Sequence, residues 1–499
     1  MCLAPEGTRS PISPWKTGFL HIAHKANVPV FLVTFDYKKK LIEFGPMHNM
    51  SDNTQHELNR IYLHFKQAQG KYPEKMLIKM VPLWRERLKN KGFTTRLVHA
   101  DRLLNAPESG AVHQATNNSV LFEYKDAQGL VDVFQGKKVG HVYSRSSSGS
   151  NVALQNILTH LEGGVGAITF STGMAAITAT MLSLFKVGDH LIVSHFLFGN
   201  TRSFTETMQA LGIELSFVDV TEVQNVKAAF KANTKAVYLE TIANPVTQVP
   251  DLLAIGQLCE SKNALFLVDN TMTPANMFDA NSVLASLTIS SLTKYIAGHG
   301  NVLGGAVVDT GLFDWSRFDN ILPIYRGPDT TQWGLTQIRK RGLRDMGGTL
   351  SPDSAHAISI GLETLVLRTE KICENAMRLA TYLNTHDKVS AVYYPGLADH
   401  PQHFLAREYF NGYGGIVSLD LIDDIDPIQF LNALNLVICA THLGDTRTLA
   451  LPVASTIYFE SSTKERQDMG VNDNMIRLSI GIEDLDDIVA DFEQAFAML

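Results

Sequence analysis

A chain of 499 residues has room for roughly two to four domains and a large core, and 45% apolar with 19% charged residues is ordinary for a soluble globular enzyme. A net charge of −7 without a long basic run argues against nucleic acid as a partner. Apolar stretches such as Val28 to Phe35 are too short to cross a bilayer, MCLAPEGTRS is no signal peptide, and four cysteines without paired spacing point to neither a disulfide framework nor a zinc site, so the cytoplasm is the expected compartment.

Residues 1–75 stand apart from the rest of the chain, with Pro5-Glu6-Gly7-Thr8-Arg9-Ser10 near the start and Asn27-Val28-Pro29-Val30 beyond it. A basic and polar linker opens residues 76–149, a linker and N-terminal arm. From 150 to 346 helical and strand patterns alternate. The pattern predicts a helix over Met174 to Phe185, strands over His190 to Ser194 and Ile213 to Val218, and a helix near Glu222 to Ala232. A strand Ala236 to Glu240, a helix Leu252 to Ser261 and strands Leu265 to Asp269, Leu287 to Ser290 and Gly304 to Val308 come next. This is the signature of an α/β fold with a mostly parallel sheet covered on both faces. Over 347–499 the pattern becomes that of a smaller α+β domain. A long helical stretch from Pro352 to about Thr385 leads into strands Val392 to Tyr394, Ile416 to Leu421 and Met475 to Ile480.

The most telling stretch is Ser291-Leu292-Thr293-Lys294-Tyr295, which follows a buried strand and precedes AGHGNVLGG. A lysine there is costly as an ammonium, and an imine to an aldehyde cofactor removes the charge. Asp269 ends another strand, on the edge where open α/β sheets bind ligands, and a carboxylate there can keep a pyridine nitrogen protonated. Either residue alone is more often structural; their pairing points to pyridoxal phosphate. Ser171-Thr172-Gly173-Met174 opens an apolar helix and offers free N–H groups to a phosphate, with hydroxyls of Thr172, Ser291 and Thr293 beside them, although such a start is also a common N-cap. Asn244 can bond a phenolic oxygen of the cofactor or simply begin a turn before Pro245. Arg477, between apolar neighbours in a strand, needs a carboxylate: that of an amino-acid substrate, or an internal salt bridge.

Together VYSR, STGMAAI, ETIANP, LVDNT, SLTKYIAGHG, LGDTRTL and IRLSIGIED make the chain from about Lys91 onward resemble the Cys/Met-metabolism family of pyridoxal phosphate enzymes. The resemblance implies a fold-type I, aspartate aminotransferase-like subunit in a homotetramer of two tight dimers. It implies that Lys294 binds the cofactor covalently, that Asp269 pairs with its ring nitrogen, and that Gly173 and Met174 bind phosphate. Tyr143 and Arg145 would reach the neighbouring subunit's phosphate, with Tyr143 also a candidate acid, and Arg477 would hold the substrate's carboxylate.

Four departures bear on the reaction. Phe198 stands where the family commonly has a tyrosine; it can stack on the cofactor but has no proton to give a leaving group, which favours O-acylhomoserine substrates. Asn200 replaces the cysteine of some methionine γ-lyases. Ser148, Gly149 and Ser150 replace Asn-Pro-Thr, a rigid turn become flexible. His442 takes the place of a serine near the α-carboxylate and either binds substrate or packs, packing being preferred; Arg447 contacts a distal carboxylate or forms a surface salt bridge. The expected reaction is γ-replacement on an O-acylhomoserine by cysteine or sulfide, with γ-elimination from methionine or cystathionine as the alternative. APEGTRS and NVPV resemble part of the 1-acylglycerol-3-phosphate acyltransferase family, with Glu6, Gly7 and Arg9 as glycerol phosphate ligands, but that family's His-x4-Asp base is absent. Acyl transfer and a non-catalytic, cofactor-binding protein are the rival readings.

Overall fold

The computed structural model describes residues 25–26, 30–36, 41–48, 91–100 and 111–499. The chain divides into two compact units, Met1–Lys91 and Gly92–Leu499. In the first, β1 (Val30–Asp36) and β2 (Leu41–His48) form an antiparallel hairpin whose register shifts between Phe31 and Val33. The expected glycerol phosphate ligands Glu6, Gly7 and Arg9 lie outside the described residues.

The second unit holds a seven-stranded sheet built from β3 (Gly166–Phe170), β4 (His190–Ser194), β5 (Glu214–Val218), β6 (Thr234–Glu240), β7 (Leu265–Asp269), β8 (Leu287–Ser290) and β9 (Gly305–Asp309). Its order is β3-β9-β8-β7-β6-β4-β5. β4 to β8 pair in parallel, and β9 runs antiparallel between β8 and β3. β4, β7, β8 and β9 are buried at every residue, and their sequences HLIVS, LFLVD, LTIS and GAVVD are accordingly rich in apolar and β-branched residues, with the polar ones mostly at the ends.

The C-terminal part carries a five-stranded sheet of β10 (Val389–Tyr393), β11 (Ile416–Leu421), β12 (Ile438–Cys439), β13 (Leu449–Pro452) and β14 (Met475–Ser479), in the order β10-β11-β14-β13-β12. Side chains alternate across β14. Ile476 and Leu478 join the core of this sheet and the C-terminal helix Leu485–Ala497, so Arg477 must point from the other face. Among the described residues no helix is long and apolar enough to cross a membrane.

Most predicted elements stand where expected, and β4, β7, β8 and β11 match residue for residue. Three corrections have physical causes. The stretch expected as one helix from Pro352 is two, Pro352–Glu363 and Leu365–Leu383, parted at Thr364, whose φ of −104° and ψ of 8° interrupt the helical path. The turn expected to be flexible at Ser148, Gly149 and Ser150 opens the helix Gly149–Leu161: buried Ser148 caps it by accepting from Asn151 N–H at 3.3 Å, and Ser150 Oγ accepts from Asn117 N–H at 2.9 Å. β3 and the helix Gly199–Ala210 were not foreseen.

Candidate active site

The parallel strands deliver their carboxyl ends to one edge, and the order reverses there: β4 leads out to β5, while β6, β7 and β8 follow on its other side. Such a switch point opens a crevice. Because β3 and β8 are both antiparallel to β9, the end of β3 reaches the same edge and brings Thr172 and Gly173 beside the turn after β8. A cavity of about 530 Å³ lies here, lined among others by Thr172, Gly173, Met174, Phe198, Asn244, Asp269, Ser291, Thr293, Lys294 and Arg477. These ten residues, all singled out from sequence, therefore share one space, and Asn200 lines it with them.

Lys294 sits in the turn after β8. Its backbone is fixed by Lys294 N–H to Ser291 C=O at 3.2 Å and Gly298 N–H to Lys294 C=O at 2.8 Å. Arg368, 5% exposed, holds the following residues by donating to the carbonyls of Tyr295 at 2.7 Å and Ile296 at 3.2 Å, and to that of Gly361 at 2.6 Å. Lys294 Nζ lies 3.3 Å from His442 Nδ1. Burial, and then the Arg477 charge, pull the amine down to about 8, and no acidic group offsets them.

Asp269 ends β7, with Oδ1 accepting from Thr271 N–H at 3.0 Å and Oδ2 from the Tyr238 hydroxyl at 3.2 Å. Burial raises its pKa despite these donors. Its register partner on β6 is Glu240, which also lines the cavity and accepts the Phe198 N–H at 2.8 Å. Burial first, then the neighbouring Asp269, push Glu240 up to about 8. Glu240 was not singled out from sequence, although VYLE and FLVD share one signal, an apolar strand closed by a carboxylate. A carboxyl protonated more readily in the folded than in the unfolded chain makes stability fall as pH rises from about 4.5 to about 8. Glu240→Gln is accordingly expected to flatten that decline in the cofactor-free protein, read as melting temperature against pH; an unchanged slope would refute the assignment.

The helix Gly173–Leu184 starts at Thr172, whose hydroxyl accepts from Ala175 N–H at 2.9 Å, while the first-turn N–H groups have no intrahelical acceptor. A Cβ on Gly173 would stand 2.8 Å from that of Ser291, so only glycine allows the two segments to close on an anion. Arg477 is 1% exposed and its partners are all neutral: Asn244 Oδ1 at 3.4 Å and the carbonyls of Thr441 and His442 at 3.1 and 3.0 Å. Its Nε has no partner, and burial lowers its pKa to about 10. An internal salt bridge to Arg477 is thus absent among the described residues.

The remaining expectations fare differently. Tyr143 is 46% exposed, and Arg145 stacks over its ring at 5.6 Å and donates to the Arg344 carbonyl; neither lines this cavity. His442, for which packing is the preferred reading from sequence, brings its imidazole Nδ1 to 3.3 Å from Lys294 Nζ, a polar contact beyond packing alone. Arg447 forms the expected salt bridge, Nε to Asp445 Oδ1 at 2.8 Å. An amine without an acidic partner, a buried strand-end carboxylate, a helix start closed by an irreplaceable glycine and an unpaired guanidinium fit the aldehyde and phosphate of pyridoxal phosphate.

Residues 94–497 match the family model of Cys/Met metabolism PLP-dependent enzymes. The chain is 34% identical over 410 residues to an L-methionine gamma-lyase of Fusobacterium nucleatum subsp. polymorphum, covering 81% of this chain and 98% of the relative. It is equally 34% identical over 426 residues to an O-acetyl-L-homoserine sulfhydrylase of Corynebacterium glutamicum, covering 82% and 97%. A putative O-acetylhomoserine (thiol)-lyase of Campylobacter jejuni, solved with a pyridoxyl-lysine monophosphate, superposes with a TM-score of 0.77 at 28% identity over 82% of this chain and all of that one.

Proposed function

The chain belongs to the Cys/Met metabolism PLP-dependent enzymes, and from that premise we propose that it catalyses γ-replacement on an O-acylhomoserine, with sulfide or cysteine as the incoming thiol. It is a fold-type I, pyridoxal phosphate-dependent trans-sulfuration enzyme acting on sulfur amino acids. The observation that carries the choice of reaction is the cavity's inventory of acids. Among the described residues of its own subunit Phe198 lines it and no tyrosine does, and its carboxyls Asp269 and Glu240 sit together at the adjoining ends of β7 and β6, so any tyrosine acid has to come from Tyr143 of a neighbouring copy. A departing thiolate, with a thiol pKa of about 8.5, needs a proton far more than a departing carboxylate, with an acid pKa of about 4.

When bound, pyridoxal phosphate supplies an aldehyde for a lysine amine and an electron-withdrawing ring that draws charge from the substrate's Cα. In this reading Lys294 would hold the cofactor, and its Nζ would take the Cα proton and carry protons toward the γ side. Asp269 would face the ring nitrogen, with Glu240, pushed up to about 8, as the protonated partner of the pair. Thr172, Gly173, Met174, Ser291 and Thr293 would receive the phosphate, Phe198 would lie against the ring, and Asn244 would meet its phenolic oxygen. Arg477, with His442, takes the substrate's carboxylate, for which its unpaired donors are the support. Tyr143 and Arg145 serve a neighbouring subunit in a homotetramer of two dimers, a role supported by their position away from their own cavity. The working compartment is the cytoplasm, and the catalytic parts are residues 150–346 and 347–499 preceded by an arm over 76–149, with 1–75 a separate acyltransferase-like segment.

The test is to incubate the protein with O-acetylhomoserine, O-succinylhomoserine or methionine, with and without sulfide or cysteine, and to measure thioether or thiol amino acid and keto acid together. Product that needs both an O-acyl ester and a thiol is the expected result; keto acid from methionine alone would establish γ-elimination instead, the activity named for a relative of the same 34% identity. Phe198→Tyr is expected to raise methionine cleavage about tenfold relative to O-acylhomoserine turnover by supplying an acid. A fall in that ratio would refute the leaving-group argument.

A further inference from the structure

Beside the cofactor cavity stands one imidazole whose two nitrogens are in unlike positions. His442 Nδ1 is 3.3 Å from Lys294 Nζ, while Nε2 is buried with no hydrogen-bond partner. An ammonium has no lone pair to accept with, so with Lys294 in that form, which its pKa of about 8 makes the prevailing one at neutral pH, the contact makes Nδ1 the acceptor and leaves the proton on Nε2. A buried N–H without an acceptor is uncommon and calls for an explanation. The backbone of the same residue supplies it: the His442 carbonyl accepts from Arg477 Nη2 at 3.0 Å, and Arg477 itself has an unpartnered Nε and only neutral partners. An orphan imidazole donor and a guanidinium that has its own orphan Nε and lacks a counter-ion are therefore joined through the His442 carbonyl, next to the lysine.

We propose that His442 is a positioning residue for Lys294: its Nδ1 accepts from the amine, aims it and stabilises its protonated form, while its Nε2–H donates to the same substrate carboxylate that Arg477 binds. The inference rests on the proposed roles of Lys294 and Arg477 and deepens them. A carboxylate arriving on Nε2–H polarises the ring and makes Nδ1 a stronger acceptor, so substrate binding raises the basicity of the amine that must take the Cα proton. No bond between heavy atoms changes in this step; the proton taken by Lys294 stays on Nζ, shared toward Nδ1.

The surroundings allow this arrangement. The charged groups acting on His442 are Lys294, Arg477 and Arg447 on the positive side and Asp445 on the negative. Burial, followed by Lys294, holds the imidazole down to about 4, so it is the neutral acceptor throughout the neutral range. Asp445 is engaged with Arg447 through Nε at 2.8 Å and Nη2 at 3.0 Å and does not compete for the ring.

Two amide replacements separate the two nitrogens. The side-chain oxygen of His442→Asn can stand where Nδ1 stands, the amide nitrogen of His442→Gln can stand where Nε2 stands, and His442→Leu offers neither. Two quantities are read on the full-length protein. One is the pH midpoint for recombination of the cofactor-free chain with pyridoxal phosphate, which reports the Lys294 amine; the other is KM for O-acetylhomoserine after reconstitution. The expected pattern is crossed. His442→Asn keeps the wild-type midpoint and raises KM about tenfold. His442→Gln keeps KM and lowers the midpoint by about one pH unit. His442→Leu shows both changes. Variants that all leave the midpoint in place, or that shift midpoint and KM together whichever amide is present, would overturn the proposal. Wild-type protein that never forms a lysine-bound absorbance band would instead overturn the role of Lys294, so the two failures are distinguishable.

Discussion

Lys294→Ala will abolish covalent capture of pyridoxal phosphate and lower turnover at least about 10³-fold, since in the proposed mechanism one amine both holds the cofactor and moves the substrate proton. The visible absorbance band of the lysine-bound cofactor must vanish, and a variant that keeps it would sink the assignment. The variant should nevertheless fold. Folding pulls this amine from its ordinary 10.5 down to about 8. The unfolded chain therefore binds more protons between those values, and burial of the charge destabilises the cofactor-free protein below pH 8, an effect relieved as pH rises toward 10.5. Removing the ammonium relieves a cost of about 3 kcal/mol at neutral pH, against which the loss of the side chain's packing must be set. The cofactor-free variant is thus expected to melt no lower than wild type at pH 7, with a weaker rise in melting temperature toward alkaline pH. That combination distinguishes lost chemistry from lost structure.

Arg477→Ala will cut kcat/KM for amino-acid substrates by about 10² to 10⁴, mostly through KM, while leaving cofactor capture intact. A charge-assisted hydrogen bond contributes about 1.5 to 3 kcal/mol, and a carboxylate on this guanidinium would gain two of them. Arg477→Lys is expected to restore little, because a single ammonium cannot reproduce the fork. The substitution has a second signature. Arg477 is the charge that acts with burial to depress Lys294, so its removal moves the amine back toward its ordinary pKa and shifts the pH midpoint of cofactor recombination upward. An unaltered KM together with an unaltered midpoint would show that Arg477 is a structural cation. The carbonyls of Thr441 and His442 that it holds would then lose their donor for structural reasons alone, with melting temperature as the affected quantity.

The central strands were legible because they recur as short segments rich in apolar and β-branched residues, set in regular alternation with helical patterns: Leu265–Asp269 and Leu287–Ser290 were read to the residue, and with them the chain positions of Asp269 and Lys294. β3 was missed because GAITF is a short apolar run with no periodicity of its own, and its place is set by β9, more than 130 residues later. The helix Gly199–Ala210 was missed because it is polar and begins at Phe198 without a side-chain cap. What starts it cleanly is the Phe198 N–H held by Glu240, a contact across 42 residues that no local pattern contains. The roles of His442 and Glu240 were hidden for the same reason: one depends on which strand turn Lys294 occupies, the other on β6 and β7 ending in register. Residue type marked the groups whose chemistry is intrinsic, and pairing had to wait for the fold.

The Arg368 clamp has a bearing on how this catalyst can be altered. Because one buried guanidinium ties down the segment after the lysine, and a Cβ on Gly298 would fall 1.9 Å from its Nη1, the reacting amine rides on a part of the chain that tolerates almost no variation. The opposite holds for Asn200 and Leu303, cavity-lining residues that are exposed to solvent. Laboratory evolution toward other acyl groups or bulkier thiols should therefore find its gains by varying these mouth positions, with Arg368 and Gly298 held fixed, because the chain keeps what performs the reaction apart from what selects the reactants.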